Sequence, residues 1–215
     1  MKKIATTEQL REYRNLTDNM KFHSDFEKIN AFEDEYDVMC HTFEENGQTG
    51  VKDMLGEILV PAMFDDIPIV FSDQFRKLAI VAIKDGKYGL VKPDGKGTII
   101  LDCVYDNIHF SNWFYYVVKD GKCGLFNNCG GELLPVMADK IYEPWNDLII
   151  YEADGKTGFS MMGSGVITEA LYESYEINES EDLVVTLDGK QGYIDEDGRF
   201  TEDPDELWFT AACLD

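Results

Sequence analysis

The chain has 215 residues, 44% of them hydrophobic, enough for one large or two small cores and too apolar for a disordered or collagen-like chain. Its 19 basic and 42 acidic residues give a net charge of -23, so phosphate backbones and anionic lipid surfaces repel it as a whole. Nucleic acid and membranes are therefore excluded as expected partners.

The N-terminal residues Met1-Lys2-Lys3-Ile4 carry two positive charges, but Ala5 to Glu12 contain no apolar segment of the kind a secretory leader needs. No run of about 18 apolar residues follows. The five cysteines Cys40, Cys103, Cys123, Cys129 and Cys213 are scattered, odd in number and without a CxxC pair, which fits a reducing compartment. The expectation is a cytoplasmic protein without disulfides, metal or cofactor.

Residues 6 to 29 read as helix. Thr6 and Gln9 form a capping box, and Leu10, Tyr13, Leu16 and Met20 recur at helical spacing. Phe22, Phe26 and Ile29 continue the stripe after a break near Asp18-Asn19. The helix is expected to form a cap over residues 1–30, blunting a sheet edge that could otherwise recruit another chain.

From there one phrase recurs five times: Asn46-Gly47-Gln48-Thr49-Gly50, Asp85-Gly86-Lys87-Tyr88-Gly89, Asp120-Gly121-Lys122-Cys123-Gly124, Asp154-Gly155-Lys156-Thr157-Gly158 and Asp188-Gly189-Lys190-Gln191-Gly192. Asn-Gly and Asp-Gly supply the positive φ pair of a type I′ turn, so each phrase predicts a hairpin tip. An apolar strand precedes each tip: Tyr36 to Phe43, Leu78 to Ile83, Phe114 to Val118, Leu148 to Tyr151 and Leu183 to Leu187. A short strand follows, as in Tyr88 to Val91 or Gln191 to Ile194. A second turn comes at Gly56, Gly95, Gly130, Gly165 or Gly198, and a third strand follows in Ile58-Pro61, Ile99-Leu101 and Leu133-Pro135. A fourth segment opens on Phe64-Asp65, Tyr105-Asp106, Ala138-Asp139 and Tyr172-Glu173.

In this frame the chain resembles the WG repeat family over about residues 31 to 205, with a C-terminal tail at 206–215. The position of the signature tryptophan is held by Thr49, Tyr88, Cys123, Thr157 and Gln191, so the resemblance is to a diverged member. It implies an all-β repeat protein and brings no catalytic residue with it. Units of about 34 residues bury too little alone, so five of them are expected to stack as an open array, the alternative being a five-bladed propeller.

The candidate chemistry is sparse. Gly155-Lys156-Thr157 lacks the earlier glycine of a phosphate loop, position 150 being Ile150, and Lys156 repeats Lys87, Lys122 and Lys190. The four lysines read as a solvated ladder paired with nearby acids. Asp195-Glu196-Asp197-Gly198 fails the calcium-loop spacing. His23, His41 and His109 form no spaced pair, although His109 lies near Cys103, and Cys40 and His41, neighbours on a strand, face opposite sides. No nucleophile elbow is present.

What remains is a set of large aromatics in the connections between units: Phe71, Phe75, Trp113, Tyr115 and Trp145. They either pack between units or line a binding face, and Phe75, Trp113, Tyr115 and Trp145 are the candidate partner-binding residues. The expected function is a non-catalytic protein-binding or scaffold module taking a protein or peptide. The alternative is an acidic inhibitor or immunity-type protein that masks a basic partner surface.

Overall fold

A computed structural model describes residues 2–144, 147–162, 165, 167–180 and 182–206. Helix α1 spans Thr7–Asp18, and α2 spans His23–Glu35. The Thr6 side chain accepts from the Gln9 amide while the Gln9 side chain accepts from Thr6, closing the capping box that starts α1. The Asp25 carboxylate takes the amides of Lys21 and Phe22 and starts α2. The second helix runs past residue 30, where the sequence placed the end of the cap. Phe32 explains the extension, stacking between Tyr13 at 4.9 Å and Tyr36 at 4.6 Å. Tyr13, Ile29 and Val38 form the small core beneath the two helices.

The rest is strand and turn in five antiparallel sheets. The first comprises β1 His41–Glu45, β2 Gln48–Lys52 and β3 Ile58–Phe64. The second comprises β4 Ile80–Lys84, β5 Lys87–Val91 and β6 Ile99–Tyr105. The third is ordered β10-β9-β8-β7, from β7 Asn107–Ser111, β8 Phe114–Lys119, β9 Lys122–Asn127 and β10 Glu132–Ala138. The fourth comprises β11 Lys140–Ile141, β12 Leu148–Ala153 and β13 Lys156–Met161. The fifth runs β14 Ser174–Ile177, β15 Leu183–Leu187, β16 Lys190–Ile194 and β17 Phe200–Thr201.

Each sheet contains one Asn-Gly or Asp-Gly hairpin. The first tip residues have φ between 50° and 53°, and their glycines between 72° and 77°. These are the angles a type I′ turn demands, and Gly meets the second at no steric cost. The glycine closing each phrase has a different reason to be there. A Cβ on Gly89 would fall 2.6 Å from the Leu101 carbonyl oxygen, because β6 bulges toward β5 between Leu101 and Tyr105.

One strand starts later than the sequence predicts. The strand expected over Tyr36 to Phe43 starts only at His41, because residues 36 to 40 bond to other segments, Cys40 N–H donating to the Phe71 carbonyl at 3.0 Å. The fourth segment of each sequence unit opens beside its own hairpin, where Phe64 pairs with Thr49 and Tyr172 bridges Thr157, but does not stay with it. It joins the next one: Asp66 bridges Ile83, β11 pairs with β12, and β14 pairs with β15.

The chain divides into two compact units, one of residues 1–108 with 128–130 and one of 109–127 with 131–215. The first is centred on Val51, Val60, Phe64, Ile80, Ala82 and Val91. The second holds, among the described residues, clusters around Leu125, Leu134 and Tyr151 and around Leu148, Val185 and Ile194. In the first unit Arg14 of α1 reaches Asp53 at 2.6 Å and Asp73 at 2.7 Å, both carboxylates being fully buried. Arg76 adds a bond to Asp73 at 3.2 Å and one to Asp18 at 2.7 Å. Burial opposes the Arg14 charge, but Asp73 and Asp53 outweigh it and hold its pKa above the usual guanidinium value. Among the described residues no buried side-chain nitrogen or oxygen lacks a hydrogen-bond partner. No described helix is long and apolar enough to cross a membrane.

Candidate functional site

The connection from β7 to β8 is two residues long, Asn112-Trp113, with φ of 47° and 69°. These angles repeat the geometry of the five Asp-Gly and Asn-Gly tips, with a tryptophan in the place of the glycine. A bulky side chain in the left-handed region costs about 1–2 kcal/mol relative to ordinary backbone. The Trp113 ring nevertheless stays 50% exposed. It meets Phe110 edge-on at 6.4 Å, and Phe110 in turn leans on Tyr115 at 4.8 Å.

Beside this turn lies an open groove of about 260 Å³ lined by His109, Ser111, Asn112, Tyr116 and Glu143. Asn112 Nδ2 donates to Glu143 Oε1 at 2.5 Å, tying the turn to the far wall. Burial, with the nearby Glu143 charge adding to it, raises the pKa of the Tyr116 phenol. The groove combines a carboxylate, an imidazole, a hydroxyl and an aromatic ledge. It suits polar or cationic side chains rather than an apolar ligand.

The other residues singled out by sequence fall elsewhere. Tyr115 is wholly buried and belongs to the core, which corrects its reading as a contact residue; alternation along β8 turns Tyr115 and Val117 inward and leaves Tyr116 at the groove. Phe75 is half-buried at the end of the short 3-10 turn Asp73–Phe75. Phe71 is also half-buried. Trp145 lies outside the described residues.

The hairpin lysines are each paired with an acid: Lys87 with Asp106 at 2.5 Å, Lys122 with Asp139 at 2.5 Å, Lys156 with Glu173 at 3.6 Å and Lys190 with Glu202 at 2.6 Å. Asp195 Oδ1 accepts from the amides of Asp197 and Arg199, so that carboxylate closes its own turn. Cys40 is buried and its neighbour His41 exposed. Among the described residues no three metal-ligating side chains converge.

Two features escaped the sequence reading: the groove and the strained turn. Glu143 lies in the connection from β11 to β12 while His109 and Ser111 lie on β7, so nothing local couples them. The three-residue gap between the apolar runs ending at Phe110 and starting at Phe114 was the one available signal for the turn.

No family model matches the chain, and no curated protein does. Among solved structures it is similar to Hsv2 of Kluyveromyces lactis, with a TM-score of 0.28 and 15% identity over 71% of this chain and 55% of that one. The form of the same protein with a complete loop 6CD gives 0.27 and 14%, over 70% and 54%. The chain thus spans little more than half the length of these structures. Likenesses at this level assign neither fold nor function.

Proposed function

We propose that the protein is a non-catalytic protein-binding module of the cytoplasm, built from five diverged WG-like repeats in an open array rather than a five-bladed propeller, and that the Asn112-Trp113 turn is its contact point for a protein or peptide partner. The observation that carries this reading is the placement of Trp113. An exposed tryptophan held in a left-handed turn works against stability, and strain of that kind is retained where a surface has a task. Tryptophan is also the residue most enriched among the dominant contacts of protein interfaces. The Glu143 carboxylate in the groove beside it favours a partner that offers a basic side chain.

The test compares affinity capture on the wild-type protein and on Trp113→Gly, which removes the ring and keeps the turn. A partner recovered by the wild type and depleted about tenfold or more on a variant of unchanged folding supports the reading. Equal recovery of every bound protein on both baits overturns it.

A second reading, an acidic inhibitor or immunity-type protein that covers a basic surface, draws on the net charge of -23. Under it, association with the captured partner slows steeply as salt rises from about 50 to about 200 mM. An association rate indifferent to salt excludes it.

A further inference from the structure

In three of the four later hairpins the segment that enters from outside uses the same residue twice. Asp65 donates its N–H to the Ile83 carbonyl at 2.8 Å, and its carboxylate accepts from the tip amide of Asp85 at 2.7 Å. Asp139 does the same to the Glu152 carbonyl at 2.7 Å and the Asp154 amide at 2.7 Å. Glu173 does so to the Thr186 carbonyl at 2.9 Å and, one residue further into the tip, to the Gly189 amide at 3.2 Å.

The first hairpin has the same tip, and among the described residues no such visitor reaches it. Glu44 sits two residues before Asn46, as Ile83, Glu152 and Thr186 sit before Asp85, Asp154 and Asp188. In that position the backbone of Ile83 turns away from its hairpin partner, with N–H donating to Asp66 and C=O accepting from Asp65. The equivalent groups of Glu44, and the Asn46 amide, meet no other segment among the described residues, and Thr42, Glu44 and Asn46 are exposed. The neighbouring chain covers this edge only as far as Cys40, through Phe71.

We propose that the outer edge of β1 receives an extended segment of a partner protein with the sequence pattern apolar, Asp, basic. The Asp N–H bonds the Glu44 carbonyl and its carboxylate caps the Asn46 amide, while the basic residue lies opposite Glu44. The third element of the pattern comes from the fourth sheet, where Lys140 pairs in register with Glu152, the counterpart of Glu44. A short, acidic edge resists unspecific strand addition, and its charge selects the strand that brings a cation. The apolar residue comes from Phe64, Ala138 and Tyr172, each buried just before its acid. This surface is separate from the Trp113 turn and does not depend on it.

The probe is a synthetic peptide of residues 135–143, Pro-Val-Met-Ala-Asp-Lys-Ile-Tyr-Glu, added to the 15N-labelled full chain. Amide shifts confined to Thr42 through Asn46 are expected. Asp139→Asn in the peptide weakens binding about tenfold by removing a charge-assisted bond. Lys140→Glu in the peptide does likewise, and Glu44→Lys in the protein restores binding of that peptide alone. Thr42→Pro, which deletes an outward N–H without touching the β1–β2 ladder, abolishes uptake while leaving the melting temperature in place. No shift at about 1 mM peptide, shifts elsewhere on the protein, or binding indifferent to both peptide changes overturns the proposal.

Discussion

Arg14 grips Asp73 with two bonds, Nη2 to Oδ1 at 2.7 Å and Nε to Oδ2 at 3.3 Å, across 59 residues of sequence. The same guanidinium holds Asp53, so one α1 side chain anchors the helix both to the turn after β2 and to the 3-10 turn at Asp73–Phe75. Arg14→Met leaves the Asp53 carboxylate buried with no cation beside it and deprives Asp73 of one of two. Breaking a buried ion pair in this way costs about 3–5 kcal/mol. Urea denaturation should register that loss with little dependence on salt, and a loss below about 1 kcal/mol contradicts the anchoring role.

Cys40 gives the first unit a signature in alkali. Burial foremost, and the Asp73 and Asp53 charges next, push its thiol up to about 12. A raised folded pKa means that the native state binds a proton the unfolded chain gives up near pH 9. Stability is therefore complete below that value and drains away as pH climbs from 9 toward 12, by at most about 1.4 kcal/mol per unit. Cys40→Ala should flatten this slope in pH-dependent denaturation, and in the native wild type Cys40 should resist alkylation.

The carboxylate of Asp139 joins two successive tips, accepting from Lys122 Nζ and from the Asp154 amide. The Lys122 bond and the Asp154 amide lower its pKa below the ordinary aspartate value. A depressed carboxylate stabilises the fold above its unfolded pKa and ceases to as pH falls through the folded one. Asp139→Ala should lower the protection factor of the Asp154 amide at pH 7 and make that protection insensitive to acidification below about pH 4.

The hairpin tips were legible in the sequence because Asp-Gly and Asn-Gly specify their own backbone angles, and the start of α1 because Thr6 and Gln9 are three residues apart. The end of α2 was not, since Phe32 extends the helix by stacking between Tyr13 of α1 and the cap residue Tyr36. Nor was the destination of the fourth segments, because a strand of two to five residues carries no information about which edge it joins. At the candidate site, Trp113 was visible as an aromatic in a connection. That Tyr115 turns inward depended on strand register, and that Glu143 closes the groove depended on tertiary packing.

Gly89 was legible as a repeated letter and its cause was not. The β5 backbone passes so close to the bulge of β6 that a methyl group there would meet Leu101 O at 2.6 Å and Cys103 Sγ at 2.8 Å. Backbone on one side leaves no route for relaxation. Gly89→Ala should destabilise by about 1–3 kcal/mol in thermal or chemical unfolding, although alanine restricts the unfolded chain more than glycine does.

The turn at Trp113 offers the opposite test, because the usual ranking of alanine over glycine should invert there. Trp113→Ala removes the ring and its edge contact with Phe110 but keeps a Cβ in the left-handed region. Trp113→Gly loses the same contact and relieves the backbone, the condition already met by Gly86 or Gly155 in the other tips. The strain of about 1–2 kcal/mol exceeds the entropy glycine forfeits on folding, about 0.5–1 kcal/mol, so the glycine variant should unfold at higher denaturant than the alanine variant. Alanine proving the more stable of the two contradicts a strained turn, and the case for Trp113 as a surface kept for binding then loses its physical basis.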